Sequence, residues 1–568
     1  MRSDPTVGLD VSDSGQADEF RPFPSWATLV ALGFGVIAGT FEIPNTSIGW
    51  HLAAGRWMVE HGRILRSNPF TFTAEGVAWL DHEWLFQVIV ATTDRLGGGT
   101  ALVALRMIVV AFLALLLARM VHRQGFGPGP ALALAALCIF GARMRFFMRP
   151  ELATLVLIPL AVDLYLRRSD RSTGRTAFAI TGIAIVGINL HGGILVLLPL
   201  LGVLWVGEGL RALLVRTSPW PAATSGVTIL GAATLAMLVN PWGWRVLLAP
   251  VHLSQLVKQP YVPNPEWISP GPFDVPLLFA GMLIAAIVMF SRERDAVRWL
   301  LFLAAAALAL RYVRNVGLFF VLLPLVIAPA LARLIPQLKN EGRRVLFAGL
   351  AIVGILTALL FDAPGFPLGF GFSTGRYPVA AGRFLEDHGL LSSRIYNDVR
   401  FGGWFIGRYY PPVKAFIDDR NEVHEEVLAE LWDIERSSSP GRWQAMLDHW
   451  KITTALLRYH EPISVVSPEG RALGLRGFSA LWFPKTRWAV VYWDDISMVL
   501  VDRLAVEPDW LTTYEYHVIR PDDVDHLAAL VLQQPELLPQ VQAELVRKIT
   551  ENPDCLQAAA IAYFVLPK

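Results

Sequence analysis

The run Trp79-Leu80-Asp81-His82-Glu83-Trp84 places two carboxylic acids on either side of a histidine and closes them between tryptophans. Aromatic surroundings strip water from a carboxylate and raise its pKa, whereas a nearby cation lowers it. Asp81 and Glu83 are therefore a candidate acid/base pair for activating or orienting a hydroxyl in a group transfer. The same spacing also fits the start of a helix over 83–96, because Asp is a favoured N-cap and acids suit a first turn. The two roles can coexist. His51, beside Trp50, is either a third catalytic group or a structural hydrogen-bonder.

Cations stand elsewhere in the chain. Arg143, Arg145 and Arg149 cluster at one end of an apolar run, and Arg311 and Arg314 at the end of another. Charges at such depth are costly and face a bundle interior or a wet cavity. They can hold an anionic substrate, since guanidinium matches phosphate bidentately, or they can snorkel to lipid head groups. His191, in Asn189-Leu190-His191-Gly192-Gly193, also ends an apolar run, as does Asn240-Pro241-Trp242-Gly243. Trp50, Trp79 and Trp84 are candidate apolar walls and a face for a sugar ring. Asp418-Asp419-Arg420 is either a binding loop or an internal ion pair that holds its domain together.

The elements that must position these groups follow from composition. The chain has 568 residues, 54% hydrophobic and 17% charged, with mean hydropathy +0.45. Soluble domains carry about 25% charged residues. A bilayer span needs about 20 mostly apolar residues. Apolar runs recur to about Asp362, so residues 26–362 are expected to form a polytopic bundle of about eleven spans, with an outer loop over 45–98. Long ordered loops tend to be functional. Residues 1–25, acidic and rich in Pro and Ser, are expected to be a disordered cytoplasmic tail.

Alternate connections are rich in Arg, notably Arg119/Arg123, Arg167/Arg168/Arg171/Arg175 and Arg333/Lys339/Arg343/Arg344, and the positive-inside rule puts these in the cytoplasm. The 45–98 loop and everything after Asp362 then face the other side. A topology reporter fused at Arg171 should read as cytoplasmic and one at Asp509 as external; the same side for both would mean a span count wrong by one.

Past Gly375, strand-prone and helix-prone runs alternate, which predicts a small α/β domain over 375–510 on the outer side. Gly402-Gly403-Trp404 and Asp418-Asp419-Arg420 are expected on loops of one face. Residues 521–568 predict a short helical tail resembling one tetratricopeptide unit, a possible docking point for a protein partner. The fold class is thus mainly α, a membrane helix bundle followed by an α/β domain and a helical tail. Net charge of +1 gives no argument for a nucleic-acid partner, and the two cysteines supply neither a disulfide framework nor a metal ligand set.

One combination is more specific than its parts. Trp50-His51-Leu52 with Gly55, Arg66-x-Asn68-Pro69-Phe70 with Thr73, and Trp79-x-Asp81-His82-Glu83-Trp84-Leu85 resemble the first outer loop of a family of bacterial polytopic proteins related to GT-C glycosyltransferases. The likeness continues through Arg149-Pro150-Glu151, His191-Gly192-Gly193, Glu266-Trp267, Gly402-Gly403-Trp404 and Asp418-Asp419-Arg420. The resemblance implies a GT-C-like fold in a bacterial inner membrane and transfer of a sugar from a polyprenyl-phosphate donor outside the cytoplasm. The partners it implies are the bilayer and a lipid-linked sugar. Cofactors stay open, with a divalent metal possible. Asp81, Glu83 and His51 would be catalytic; Arg143, Arg145, Arg149, His191, Trp50 and Trp84 would bind substrate. One departure matters: the stretch where such proteins carry acids before Trp-His is here Pro44-Asn45-Thr46-Ser47, and Asn45 is no base. A non-catalytic scaffold or assembly factor for cell-surface polysaccharide, or a transporter, are the alternatives.

Overall fold

The computed structural model describes residues 22–168, 172–262, 264–339, 342–361, 366–466 and 472–566. The expected N-terminal tail lies, up to residue 21, outside the described residues. The apolar part is built from α1 (Ser25–Gly39), α2 (Ile48–His61), α3 (Trp84–His122), α4 (Pro128–Ala142), α5 (Glu151–Leu166), α6 (Thr173–Leu190), α7 (Leu197–Leu214), α8 (Trp220–Ala236), α9 (Arg245–Leu256), α10 (Pro276–Arg292), α11 (Ala296–Arg311), α12 (Val316–Leu334) and α13 (Arg343–Phe361).

Each expected apolar run contains a helix. Among the described residues, five helical stretches are long and apolar enough to cross a membrane: α3, α6, the stretch holding α7, the stretch holding α12, and α13. α1 and α10 are shorter apolar helices. The protein is a helical membrane protein, and its span count is not fixed at eleven by these helices.

α3 is two helices in one. Gly98 adopts φ +59°, and with Gly97 it breaks the helical path between the segment that begins at Trp84 and the apolar segment that ends at His122. A left-handed φ is open to glycine at little cost. The break separates the segment that begins at Trp84 from the apolar segment that follows it.

The C-terminal part carries α14 (Val379–Asp387), β1 (Arg394–Asn397), α15 (Val399–Tyr409), α16 (Glu425–Arg436), α17 (Pro440–His449), β2 (Ile452–Arg458), β3 (Ile463–Val466), β4 (Ala472–Arg476), α18 (Phe478–Trp482), β5 (Trp488–Trp493), β6 (Ser497–Asp502), α19 (Pro508–Tyr514), α20 (Val524–Gln533), α21 (Leu538–Glu551) and α22 (Leu556–Val565). Four strands form a sheet in the order β1-β2-β6-β5, with β1 parallel to β2 and the other pairs antiparallel. Alternate side chains of β2 and β6 point to opposite faces, and both faces are covered. Ala455, Leu457, Met498 and Leu500 pack toward α16, α17 and the tail helices α20–α22. Leu456, Val499 and Val501 pack toward α14, α15 and the outer loop, where Trp50, Met58, Phe70 and Trp79 belong to the same cluster.

The tail is therefore bonded into the sheet's own core. Buried Glu544 of α21 accepts from the backbone N–H groups of His517, Val518 and Ile519. The outer loop is bonded to the domain as well: Thr71 and Ala415 form a β-bridge, and Phe72 and Ala415 each donate across it at 3.0 Å.

One sequence expectation is corrected here. Gly402-Gly403-Trp404 lies inside α15, not on a loop. α15 crosses α2 at backbone contact. A Cβ on Gly49 would sit 2.1 Å from the Gly403 carbonyl oxygen, and one on Gly407 would sit 2.6 Å from the Gly49 Cα. The glycines serve close packing, and through it they fix α2 against the domain.

Candidate active site

α2 carries Trp50 and His51, and its crossing with α15 sets where they point. Trp50 Nε1 donates to Asp419 Oδ1 at 2.8 Å. The Trp50 ring lies on His51, with centroids 3.6 Å apart, and the Arg420 guanidinium stands 5.4 Å from its centroid. Trp79 lies under the same guanidinium at 4.6 Å. Both tryptophans are buried, so the sugar-stacking face expected from them is covered by protein. Arg420 is buried and locked to Asp418 through Nε at 2.8 Å and Nη2 at 2.5 Å, and it reaches Asn68 of the outer loop at 2.9 Å. Burial alone would raise Asp418, but Arg420 and His424 hold it well below the usual carboxylate range. Asp418 and Arg420 thus form an internal ion pair, and Asp419 is the exposed member of the triplet.

Asp81 and Glu83 part company. Asp81 is 1% exposed; its Oδ1 accepts from Gln87 Nε2 at 2.6 Å, and burial with the neighbouring Glu83 charge raises its pKa well above the ordinary value. It faces protein. Glu83 occupies the N-cap of α3 without a side-chain cap hydrogen bond. Its carboxylate points instead into a ring of imidazoles, with Oε2 3.9 Å from His51 Nδ1, and Oε1 3.6 Å from His82 Nε2 and 3.9 Å from His191 Nε2. Burial raises the Glu83 pKa against the pull of His82, Arg314 and Arg149. His51 and His191 are pushed well below the ordinary histidine value, by burial first, then by Arg149 for His51 and by Arg314 for His191. They are neutral near pH 7, so their contacts with Glu83 are not ion pairs. The Thr154 hydroxyl shares a hydrogen bond with His191 Nδ1 at 2.7 Å and fixes that ring.

The arginine cluster also divides. Arg145 pairs with Glu151 at 2.5 Å and Glu266 at 3.3 Å, and Arg149 pairs with Glu266. Burial notwithstanding, Arg149 and Arg145 bring Glu266 down to about 2. Arg143 turns away: it stacks at 5.0 Å over Phe366 and 5.6 Å over Phe41. The cause is the short 3-10 turn Arg143–Arg145. At three residues per turn, positions two apart diverge by about 240°. Arg314 joins the site from the start of the α12 stretch, stacked over Trp267 at 4.4 Å, with no ion pair among the described residues. Its position beside Arg311 in sequence carried no sign of this pairing with Trp267.

Trp84 Nε1 donates to Asn189 Oδ1 at 2.8 Å, and Asn189 Nδ2 donates to Val239 O at 2.9 Å. These bonds tie the ends of α3, α6 and α8 around a groove of about 490 Å³ lined by Trp84, Ile185, Asn189, Leu238, Val239 and Asn240. Among the described residues, no group of three or more His, Cys, Asp or Glu side chains is arranged to hold a metal ion.

Asn45 is buried and structural. Its Nδ2 donates to Ser47 Oγ at 3.3 Å and Met148 O at 3.2 Å, and its carbonyl accepts from the Tyr377 hydroxyl at 2.9 Å. Asn45→Asp would turn a carboxylate oxygen onto the Met148 carbonyl. It should lower the thermal unfolding midpoint, at a cost of about 1–3 kcal/mol for the unpaired acceptor, and should raise no activity; a stable, more active variant would show an acid is wanted there.

No family model matches the chain, and no curated protein is similar to it in sequence. Among solved structures it is similar to the oligosaccharyltransferase of Archaeoglobus fulgidus in the apo form, at 11% identity and a TM-score of 0.51, over 86% of this chain and 81% of that chain. The same enzyme tethered through a disulfide to an acceptor peptide containing the NVT sequon is similar at 11% identity and a TM-score of 0.50, over the same shares. At that identity the likeness is one of fold, and it supports the GT-C-like architecture expected from the outer-loop motifs.

Proposed function

We propose that the protein is a glycosyltransferase of the membrane that moves a sugar from a polyprenyl-phosphate donor to an acceptor on the outer side of a bacterial plasma membrane. The observation that carries this reading is Glu83. A carboxylate faces His51, His82 and His191 at the meeting of the bundle with the C-terminal unit, in the field of Arg149 and Arg314. Arg314, which is not spent on an ion pair among the described residues, holds the donor phosphate, with Arg149 and Arg145 beside it. The groove next to Trp84 takes the first part of the lipid chain. Glu83 stabilises the positive charge that grows at the anomeric carbon as its bond to phosphate lengthens; a charge preorganised away from bulk water acts there at full strength. The acceptor enters from the aqueous side, beneath the C-terminal unit, and the archaeal likeness makes a peptide one acceptor to try.

The test is turnover by the purified protein in proteoliposomes, with a panel of polyprenyl-phosphate sugars and release of the polyprenyl phosphate as readout. Release with at least one donor is expected. A folded protein that binds but turns over none of them would favour the scaffold reading.

A further inference from the structure

We infer that Asp419 takes the proton of the acceptor, so that the C-terminal unit supplies a catalytic group to a site otherwise built by the bundle and its outer loop. The inference rests on the transferase reading above.

Asp418 and Arg420 are buried and consume each other, while Asp419 between them is exposed. Its Oδ1 is pinned by Trp50 Nε1 at 2.8 Å, and its Oδ2 has no hydrogen bond among the described residues. One oxygen is held and the other is free to receive a proton. The pinning indole stacks on His51, and His51 Nδ1 is 3.9 Å from Glu83. Asp419 and Glu83 thus stand at the two ends of one chain of contacts, one offered by the domain and one by the outer loop, and both lie in the field of Arg149. Glu83, with both oxygens turned to imidazoles and its side chain 18% exposed, is poorly placed to meet an acceptor arriving from water. Asp419 is on that side.

The groups that face Asp419 are Asp418, Arg149, Trp50 and Arg420. Its carboxylate keeps an open edge but is crowded by protein. That crowding and the Asp418 charge push it up to about 6, against Arg149, the indole bond and Arg420. A base serves best when its pKa lies near the working pH. In the step itself, the acceptor oxygen forms a bond to the anomeric carbon. The bond from that carbon to the phosphate oxygen breaks, and its electron pair leaves with the polyprenyl phosphate. The acceptor proton passes to Asp419 Oδ2 and then to water.

The experiment compares wild type, Asp419→Asn and Asp419→Ala in the proteoliposome assay. Asp419→Asn keeps an oxygen for the Trp50 bond but takes no proton, so transfer should fall about 100-fold or more with donor KM unchanged and a thermal midpoint no lower than that of wild type. Asp419→Ala should be rescued in part by added formate, a mobile substitute base. Trp50→Phe removes a bond that favours the ionised form, so the acid limb of kcat/KM should move to higher pH. Absence of transfer by wild type would sink the transferase reading itself. Transfer by wild type and equally by Asp419→Asn would overturn only this inference, as would an Asp419→Ala that formate leaves unrescued.

Discussion

Asp418→Ala is expected to loosen the C-terminal domain and the 45–98 loop packed against it. It would leave the Arg420 guanidinium buried among Trp50, Phe70 and Trp79, with Asn68 as its remaining side-chain partner. Removing one member of a buried ion pair costs about 3–5 kcal/mol, because the survivor keeps its desolvation without its counter-charge. The loss should spread, since Arg420 bonds the outer loop to the domain and sits against the ring that positions His51. The measurement is the thermal midpoint in detergent together with protease sensitivity near Asn68. Asp418→Ala combined with Arg420→Met should recover much of the loss, since replacing both charges by apolar groups is far milder than stranding one.

The pH dependence has a fixed sign. Asp418 is depressed in the folded protein, so its contribution is fully present above the ordinary carboxylate value of about 3.9 and is lost as pH falls below it toward the folded value. Asp418 itself stays ionised between pH 5 and 8 and adds no slope there, and the gap between wild type and variant should narrow in acid. A single variant that melts with wild type would mean that Arg420 finds another partner.

The apolar helices were legible because a span must be apolar for its whole length, and the outer loop because polar and aromatic residues interrupt that pattern. Gln87, which satisfies Asp81, lies six residues along in sequence, yet the choice between a capping, a sealed and an open carboxylate depends on where the second half of the molecule sits. His191 and Glu83 are brought together by the ends of α3 and α6, a contact no local pattern records. Arg143, Arg145 and Arg149 read as one cluster because charge can be counted along a chain, but the 3-10 turn that separates Arg143 from the others cannot. Gly402 and Gly403 were expected in a loop since glycine punctuates loops; here the missing side chains admit another helix. Asp419 was visible as part of a charged triplet, and only burial tells it from Asp418.

Glu83→Gln is expected to reduce sugar transfer about 100-fold or more, the scale on which a single preorganised electrostatic group acts, and at the same time to stabilise the protein at neutral to alkaline pH. The gain in stability comes from burial. Glu83 has a folded pKa raised mainly by burial. The folded state therefore holds its proton to higher pH than the unfolded chain does, and stability is lost as pH rises through the folded value. Glutamine is neutral at every pH and escapes that loss, so the thermal midpoint of the variant should exceed that of wild type at pH 8 and converge with it in acid. Loss of rate joined to a gain of stability marks a group kept for chemistry at the expense of the fold. Asp81→Asn is the control. Asp81 is sealed, its pKa is raised further, and asparagine keeps the oxygen that Gln87 Nε2 donates to, so the midpoint at pH 8 should rise as for Glu83→Gln while the rate stays close to wild type. A Glu83→Gln protein that transfers sugar at the wild-type rate would remove Glu83 from the reaction. A variant that loses rate and melts earlier at every pH would make Glu83 a structural residue whose loss reaches the site indirectly.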